Sequence, residues 1–369
     1  MRSALPRSYT TLVPELVDEA QHVVPYAFDT DTNYPLWESV VHLVARVANR
    51  AIIGVPGCRD EAFLALQVAV AEQAIPVAQV LRWFPVVCRP FVWSVFSALA
   101  GSRESCLAKL MPYVQQRVVD SGKEDPATVL DLLLKHAPES ELSDLRTLAL
   151  RVTHLNMAAI HTSSIFLTHS LFEIARLPAP QLALLRQEMD DAVAAEGGIC
   201  SKAALSNFHL LDSLLKEVGR YHMQVSVGSS RMVMQPITLS DGTLLPAGCA
   251  VSLAHEPIHF DTKTYPDPYT FKPFRFAHLR TADGDTTSNV KHTFTHLANE
   301  YIVFGTGPRA CPGRFFASLT IKILVYEILR EFDLAFPDGA STQPQPFAFN
   351  GFILPNQKAT LRFVKRDMK

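Results

Sequence analysis

The chain has 369 residues, of which 48% are hydrophobic and 19% are charged. This composition is typical of globular proteins, and the length allows one large domain or two ordinary ones. The net charge of −2 gives no basic footprint, so we exclude a nucleic-acid partner. No apolar run reaches the ~18 residues of a membrane span, and no secretory signal opens the sequence. As written, the sequence predicts a soluble chain.

The cysteines lie far apart and include no C-x-x-C pair: Cys58, Cys88, Cys106, Cys200, Cys249 and Cys311. This spacing suits a reducing compartment and argues against a disulfide framework or a zinc site.

The first two-thirds of the chain show helical spacing of apolar residues between prolines. We predict helices over Tyr34–Ile53 and over Ser143–Leu177, the second about 50 Å long at ~1.5 Å per residue. Pro180 suits the first turn of the next helix, which ends at Gly197–Gly198. Ser201 caps a predicted helix that reaches about His222.

Short strands follow, predicted at Ser230–Val233, Ile237–Leu239 and Thr243–Leu245. Asp241-Gly242 predicts a tight hairpin turn between the last two strands. A final helix is predicted over Arg314–Phe332, and a last hairpin over Phe349–Val364 that turns at Pro355-Asn356. The fold class predicted is mainly α with minor β.

The chemistry is concentrated in the segment FGTGPRACPGRFF, residues 304–316. Haem iron that activates oxygen needs a thiolate ligand, because the sulfur pushes electron density toward the O–O bond. Gly305, Gly307 and Gly313 would let the backbone turn tightly near that sulfur. Cys311 precedes a helix whose N-terminus would lower the pKa of the thiol. The alternative is a buried structural cysteine in a glycine-rich loop.

The segment resembles the cysteine loop of the cytochrome P-450 family, F-G-x-G-x-R-x-C-x-G, at every fixed position. Six fixed residues at this spacing arise by chance about once in ten million positions or fewer. The resemblance implies that Cys311 holds the iron of haem b and that Phe304 packs over the sulfur. It also implies that Arg309 and Arg231 contact the haem propionates. Gly313 completes the implied cofactor-binding residues.

Glu217 and Arg220 lie three residues apart and so share a helix face. In the family, such an E-x-x-R pair is buried with a downstream arginine, which is matched here by Arg275 in the segment FKPFRF. The resemblance therefore implies a structural ion-pair triad. Two other pairs match E-x-x-R and are predicted to be ordinary surface pairs: Glu173/Arg176 and Glu327/Arg330.

Within the long helix, AAIHTSS (Ala158 to Ser164) resembles the family's oxygen-activation signature, A-G-x-D/E-T-T/S. The resemblance implies a catalytic role for Thr162 in delivering protons. His161 stands where the family has an acid, and Ala159 where it has glycine. We interpret His161 as a catalytic proton relay, with a packing residue as the alternative. The substitution occurs in fungal secondary-metabolite members, which the sequence resembles elsewhere.

The substrate pocket is predicted to be lined by one helix face, by the segment after the ion-pair helix, and by the last hairpin. These residues are Met157, Ala158, Ala159, Val225 to Gly228, Phe352 and Ile353.

The resemblance covers essentially the whole chain, so we predict one cytochrome P-450 domain over residues 1–369 that lacks the family's N-terminal portion. That portion carries a membrane anchor, the first β-sheet and a capping loop and helix. The resemblance implies the cytosolic face of the endoplasmic reticulum, or the cytosol if Met1 is the true start.

The function predicted is a haem-dependent monooxygenase that oxidises an apolar small molecule, a terpenoid, polyketide or alkaloid intermediate of fungal secondary metabolism. It would use O2 and electrons from NADPH-cytochrome P-450 reductase, docked near Arg275, Arg314 and Lys322. One alternative is a haem-thiolate isomerase, cyclase or dehydratase that needs no reductase. Another is a truncated, non-catalytic remnant.

Overall fold

Helices dominate the structure, a computed structural model that describes residues 5–30, 32–120, 128–282, 288–337, 345–349 and 351–367. Within these ranges the helices are α1 Leu5–Val23, α2 Leu36–Ile52, α3 Glu61–Arg82, α4 Arg89–Ala100, α5 Ser102–Asp120, α6 Val129–His136, α7 Glu139–Leu142, α8 Leu145–Ala175, α9 Ala179–Ala195, α10 Lys202–Ser206, α11 His209–Tyr221, α12 His255–His259, α13 Arg275–Ala282, α14 Ser288–Lys291 and α15 Arg314–Glu331.

The strands in the same ranges are β1 Asn33–Pro35, β2 Val227–Met232, β3 Ile237–Thr238, β4 Leu244–Leu245, β5 Ala250–Ala254, β6 Phe332–Ala335, β7 Phe347–Phe349, β8 Phe352–Leu354 and β9 Thr360–Lys365. They form one antiparallel sheet in the order β1-β9-β6 and the antiparallel pairs β2-β5, β3-β4 and β7-β8. The predicted fold class, mainly α with minor β, is confirmed.

Helix α8 runs between two apolar clusters and contributes to both. Its N-terminal half places Leu148 and Val152 in a cluster with α2, α3, α5 and α6. Its C-terminal half places Phe166 and Phe172 in a larger cluster with α1, α2, α11 and α15. The boundaries differ from the predicted ones by two residues at each end, and Asp144 caps the start by accepting from the Thr147 N–H at 3.0 Å. The middle of α8 is therefore held rigidly from both ends.

Two predicted boundaries are wrong, for different reasons. The helix predicted from Ser201 to His222 is two helices, because the fully buried Phe208 interrupts it between α10 and α11. The last hairpin turns between Phe349 and Phe352, which pair with each other across β7 and β8 and between which Gly351 has φ +85°, and not at Pro355-Asn356. β9 instead pairs with β1 and β6. The hairpin at Asp241-Gly242 is confirmed, with Gly242 at φ +87° and β3 paired to β4.

Across the part of the chain that the structure describes, no helix combines the length and apolar character needed to cross a membrane.

Candidate functional site

The cysteine loop holds its thiol by backbone hydrogen bonds just before α15. The Cys311 N–H donates to the Phe304 carbonyl at 2.7 Å, which closes the loop into a tight reversal. Gly305 and Gly307 adopt φ values of +71° and +61°, which only glycine reaches without strain. Gly313 does not need this freedom, since its φ is −85° and it caps α15. A Cβ there would lie 3.9 Å from the Cys311 Sγ, an ordinary contact distance.

Phe304 joins this loop to α8. Its buried ring stacks parallel to Phe166 of α8, with ring centroids 6.2 Å apart, and meets Phe294 edge-on at 5.0 Å. The aromatic cluster sets how close the loop and α8 approach each other.

A cavity of about 480 Å³ lies between the cysteine loop and α8. Its walls are mostly apolar, and the exposed Cys311 faces it together with Thr162 and Ser163. The lining residues are Ile52, Val129, Leu155, Ala158, Ala159, Thr162, Ser163, Phe166, Gln224, Val303, Phe304, Cys311, Pro312, Gly313, Phe316 and Ala317. An apolar cavity with few polar groups is typical of a small-molecule or cofactor site.

The structure brings only part of the predicted pocket to this cavity. Ala158 and Ala159 line it, whereas Met157 does not and is 38% exposed. Val225, Phe352 and Ile353 are also absent from the lining. Instead, the main chain at Gln224 and Val225 pairs with β8. Val225 and Phe352 form an isolated bridge, and the Ile353 N–H donates to the Gln224 carbonyl at 2.9 Å.

Thr162 and His161 point in different directions. Thr162 faces the cavity, and its hydroxyl donates to the Ala158 carbonyl at 2.7 Å. The His161 ring lies away from it, 6.2 Å from Trp37 of α2 and 3.9 Å from the Glu72 Oε1 of α3. Neither ring nitrogen has a hydrogen-bond partner among the described residues, and burial lowers the pKa of His161. This environment disfavours the relay interpretation and favours the packing alternative.

Arg231 and Arg309 are both exposed and neither lines the cavity. Arg231 donates to the adjacent Ser230 carbonyl at 2.8 Å. Their contacts with propionates remain predictions.

The structure brings Glu217, Arg220 and Arg275 together. Arg220 is fully buried and donates to both Glu217 oxygens at 2.8 Å. The Arg275 Nε reaches the same carboxylate at 3.2 Å. The two guanidinium groups also donate to main-chain carbonyls of His259 at the end of α12 and of the proline-rich loop that follows it, residues 260–273, namely those of Pro266, Asp267, Pro268 and Thr270. The cluster therefore clamps that loop onto α11.

The family model of cytochrome P-450 matches residues 16–363. The chain belongs to the cytochrome P-450 family. It is 29% identical to cytochrome P-450 monooxygenase 103 of Postia placenta over 99% of this chain and 74% of that one. It is 30% identical to cytochrome P-450 monooxygenase olcJ of Penicillium canescens, over 97% of this chain and 67% of the relative.

Solved structures share the fold of this cytochrome P-450. The retinoic acid-bound cyanobacterial CYP120A1 aligns with a TM-score of 0.75 and 20% identity, covering 99% of this chain and 77% of that one. A zebrafish cytochrome P-450 with abiraterone aligns with a TM-score of 0.70 and 20% identity, covering 97% of this chain and 78% of that one. Members of the family bind haem through a cysteine thiolate, so haem is the cofactor.

The residues of this cytochrome P-450 fit that group. Cys311 offers an exposed thiol to a mostly apolar cavity, and the small side chains of Ala158 and Ala159 leave room at the α8 wall. Among the cysteines, all six of which lie in the described ranges, only Cys311 lines this cavity.

The glutamates of the two other E-x-x-R pairs are buried, which contradicts the predicted surface location for these side chains, whereas Arg176 and Arg330 stay 39% and 33% exposed. The Glu173 side chain is 3% exposed and bonds the His222 Nε2 at 2.7 Å as well as Arg176 at 3.3 Å. The Glu327 side chain is 1% exposed and bonds Gln21 at 3.1 Å and Arg330 at 2.9 Å. Elements distant in sequence, α1 and the segment after α11, cover these carboxylates.

Sequence reasoning missed a second buried ion cluster, at Asp212. Its carboxylate binds Lys322 at 2.6 Å and Arg280 at 3.2 Å. Burial raises the pKa of Asp212, but the two cations outweigh this and hold the pKa below its usual value. The signal was available, because Asp212, Lys216 and Arg220 form an i, i+4, i+8 stripe of charged residues along one face of α11.

The two buried ion clusters correct two of the predicted reductase-docking residues, Lys322 and Arg275. Lys322 and Arg275 are each 8% exposed and are bonded to Asp212 and Glu217. Arg314 is half-buried and donates to the Thr295 and Cys311 carbonyls. Arginine and lysine side chains committed to buried carboxylates cannot also bind a partner's surface.

Proposed function

We propose that Cys311 ligates the haem iron of this monooxygenase and that the cavity receives an apolar small molecule of fungal secondary metabolism. The observation that carries the proposal is the exposed Cys311 thiol, which faces an apolar cavity whose other wall is α8 with Thr162. The fungal origin of the named relatives supports the metabolic setting.

Each residue then has a distinct task. When bound, haem supplies the activation of O2. The Phe304, Phe166 and Phe294 cluster excludes water from the thiolate side. The Thr162 hydroxyl faces the reacting space, and because its proton is held by the Ala158 carbonyl, its oxygen is left to accept from and hold the water that delivers protons there. Arg231 and Arg309 hold the propionates.

We propose that residues 1–369 act as one domain and receive electrons from NADPH-cytochrome P-450 reductase. The reductase would dock beside Cys311, on a surface that does not include Arg275 and Lys322, whose side chains are each 8% exposed. Its partners are then an apolar substrate, O2 and the reductase.

We propose the cytosolic face of the endoplasmic reticulum as its location, reached through an apolar surface between residues 83 and 95. There Trp83 is 82%, Val87 90% and Phe91 73% exposed, and exposed aromatic residues favour the interface of a bilayer.

Binding of the protein to phosphatidylcholine vesicles should drop in the double variant Trp83→Ser/Phe91→Ser. It should persist in Tyr26→Ser, which changes another exposed ring, 86% exposed. Equal losses in both variants would refute this surface.

The test of function uses the purified chain, loaded with haem and reduced under carbon monoxide. A red-shifted thiolate band and uptake of labelled oxygen into product, dependent on reductase, are expected. Product without labelled oxygen and without reductase would favour an isomerase, cyclase or dehydratase. No haem binding would favour the truncated remnant and refute the proposal.

A further inference from the structure

Gln224 is the one carboxamide that lines the cavity within the described ranges. It follows α11 and precedes β2, and its Nε2 donates to the Thr162 carbonyl of α8 at 2.8 Å. A carbonyl only accepts hydrogen bonds, so the amide nitrogen must face Thr162. The position of the Gln224 Oε1 is therefore determined by chemistry and is not an arbitrary choice between O and N.

The backbone around Gln224 is held on both sides. The Gln224 carbonyl accepts from the Ile353 N–H at 2.9 Å. Two residues earlier, His222 is bonded to the buried Glu173 of α8 at 2.7 Å. The amide thus sits on a fixed frame, which is a requirement for a group that orients a ligand.

The Gln224 Oε1 is left without a donor. Among the described residues none donates to it, and the nearby Thr162 hydroxyl is already committed to the Ala158 carbonyl at 2.7 Å. An amide oxygen has two acceptor sites, and Gln224 borders a cavity whose walls are otherwise mostly apolar.

We propose that the Gln224 Oε1 recognises a hydrogen-bond donor on the substrate, a hydroxyl or N–H group on an otherwise apolar molecule. The inference rests on the proposed function and narrows its substrate class. A site that hydrogen-bonds a substrate hydroxyl discriminates against the analogue without it, because the protein's polar group is then left unpaired. Gln224 is thus a specificity-determining residue.

The experiment measures ligand binding to the haem-loaded full chain by difference spectroscopy. The probes are 4-phenylimidazole and its ortho-, meta- and para-hydroxyphenyl analogues, whose shared imidazole anchors them at the iron whatever the natural substrate. At least one hydroxylated probe should bind about threefold to tenfold more tightly than the parent, the range of one hydrogen bond. In Gln224→Met that advantage should disappear while the affinity for 4-phenylimidazole stays within about twofold.

Gln181→Met makes the same change at a glutamine outside the cavity and should keep the preference. Gln224→Asn, a shorter amide, should lose the preference for the hydroxylated probe. This variant replaces Gln224→Met in the test if Gln224→Met fails to load haem. A preference that persists in both Gln224 variants, or is absent from the parent, would overturn this inference and leave the proposed function standing. Failure of the parent to bind haem would overturn the proposed function and this inference with it.

Discussion

At the cavity, two residues carry the proposed chemistry, and each makes a short hydrogen bond to a main-chain carbonyl. The Cys311 N–H is held by the Phe304 carbonyl at 2.7 Å, and the Thr162 hydroxyl by the Ala158 carbonyl at 2.7 Å. Their positions therefore depend on backbone geometry more than on neighbouring side chains. Substitutions at either residue should change chemistry with little effect on folding.

Replacing Cys311 by Ser should abolish the red-shifted carbon-monoxide band of the reduced protein, because the thiolate ligand is lost. The reduced spectrum checks this. Cys88→Ser removes another exposed thiol, outside the cavity, and should leave the band intact. A band that survives in Cys311→Ser would refute the ligand assignment.

Thr162→Ala should release more peroxide per NADPH consumed, by roughly tenfold or more, because the hydroxyl that holds the proton-delivering water is lost. Peroxide and NADPH assays check this. Thr153→Ala is matched, since Thr153 lies on α8 with the same type of bond, to the Ala149 carbonyl at 3.0 Å, but outside the cavity. His161→Ala should also resemble the parent. Excess peroxide from His161→Ala would restore the relay interpretation.

At the scale of the element, α11 carries buried charges along one face and joins several distant segments. Asp212 binds α13 and α15, whereas Glu217 and Arg220 bind the proline-rich loop. Between them, burial lowers the pKa of Lys216 to about 8, and its Nζ lies over the rings of Phe276 and Tyr301. Removing one partner of such a cluster leaves an unpaired buried charge.

Glu217→Ala should lower the free energy of unfolding by about 3–5 kcal/mol, since two buried arginines lose their carboxylate. Glu173→Ala should cost about 1–3 kcal/mol, because it removes a buried bond to His222. A glutamate in a surface pair would instead have left the free energy of unfolding nearly unchanged on replacement. Glu104→Ala, at a carboxylate that is 54% exposed, is the control and should cost less than about 1 kcal/mol. Urea unfolding measures all three, and equal losses would contradict the ranking.

At the scale of the whole molecule, several histidines are buried in neutral form. Burial, then His255 and Arg220, lowers the pKa of His259 to about 3. Its Nε2 accepts from the Ile302 N–H at 3.1 Å, which a proton on that nitrogen would prevent. Burial also lowers the pKa values of His161, His169 and His255. Acid should therefore destabilise the fold.

His259→Gln should make stability less dependent on pH. Below pH ~6.5 the histidine binds a proton in the unfolded state, whereas His259 in the folded state stays neutral until the pH nears ~3. The free energy of unfolding contributed by neutral His259 is therefore present above pH ~6.5 and is lost as the pH falls toward ~3. Within this window, each unit of falling pH lowers the free energy of unfolding by up to ~1.4 kcal/mol for each such histidine. Between about pH 7.5 and about pH 5 the parent should therefore lose about 2 kcal/mol more than His259→Gln in urea unfolding. His136→Gln, at an exposed position, should follow the parent, and parallel curves for all three proteins would contradict the prediction.

The sequence by itself determined the features that depend on nearby residues. The glycines of the cysteine loop, the Asp241-Gly242 hairpin and the span of α8 follow from backbone conformation and apolar periodicity. Local geometry is encoded within a few residues, so the pattern predicts it directly.

Only the tertiary structure decided which polar side chains are buried and where they point. The sequence shows three E-x-x-R pairs, and the glutamate of each is buried by a different distant element. Adjacent His161 and Thr162 face opposite surroundings, and Gln224 reaches a carbonyl 62 residues away along the chain. Burial and long-range hydrogen bonds depend on which segments pack together, and a helical or strand period contains no information about those partners.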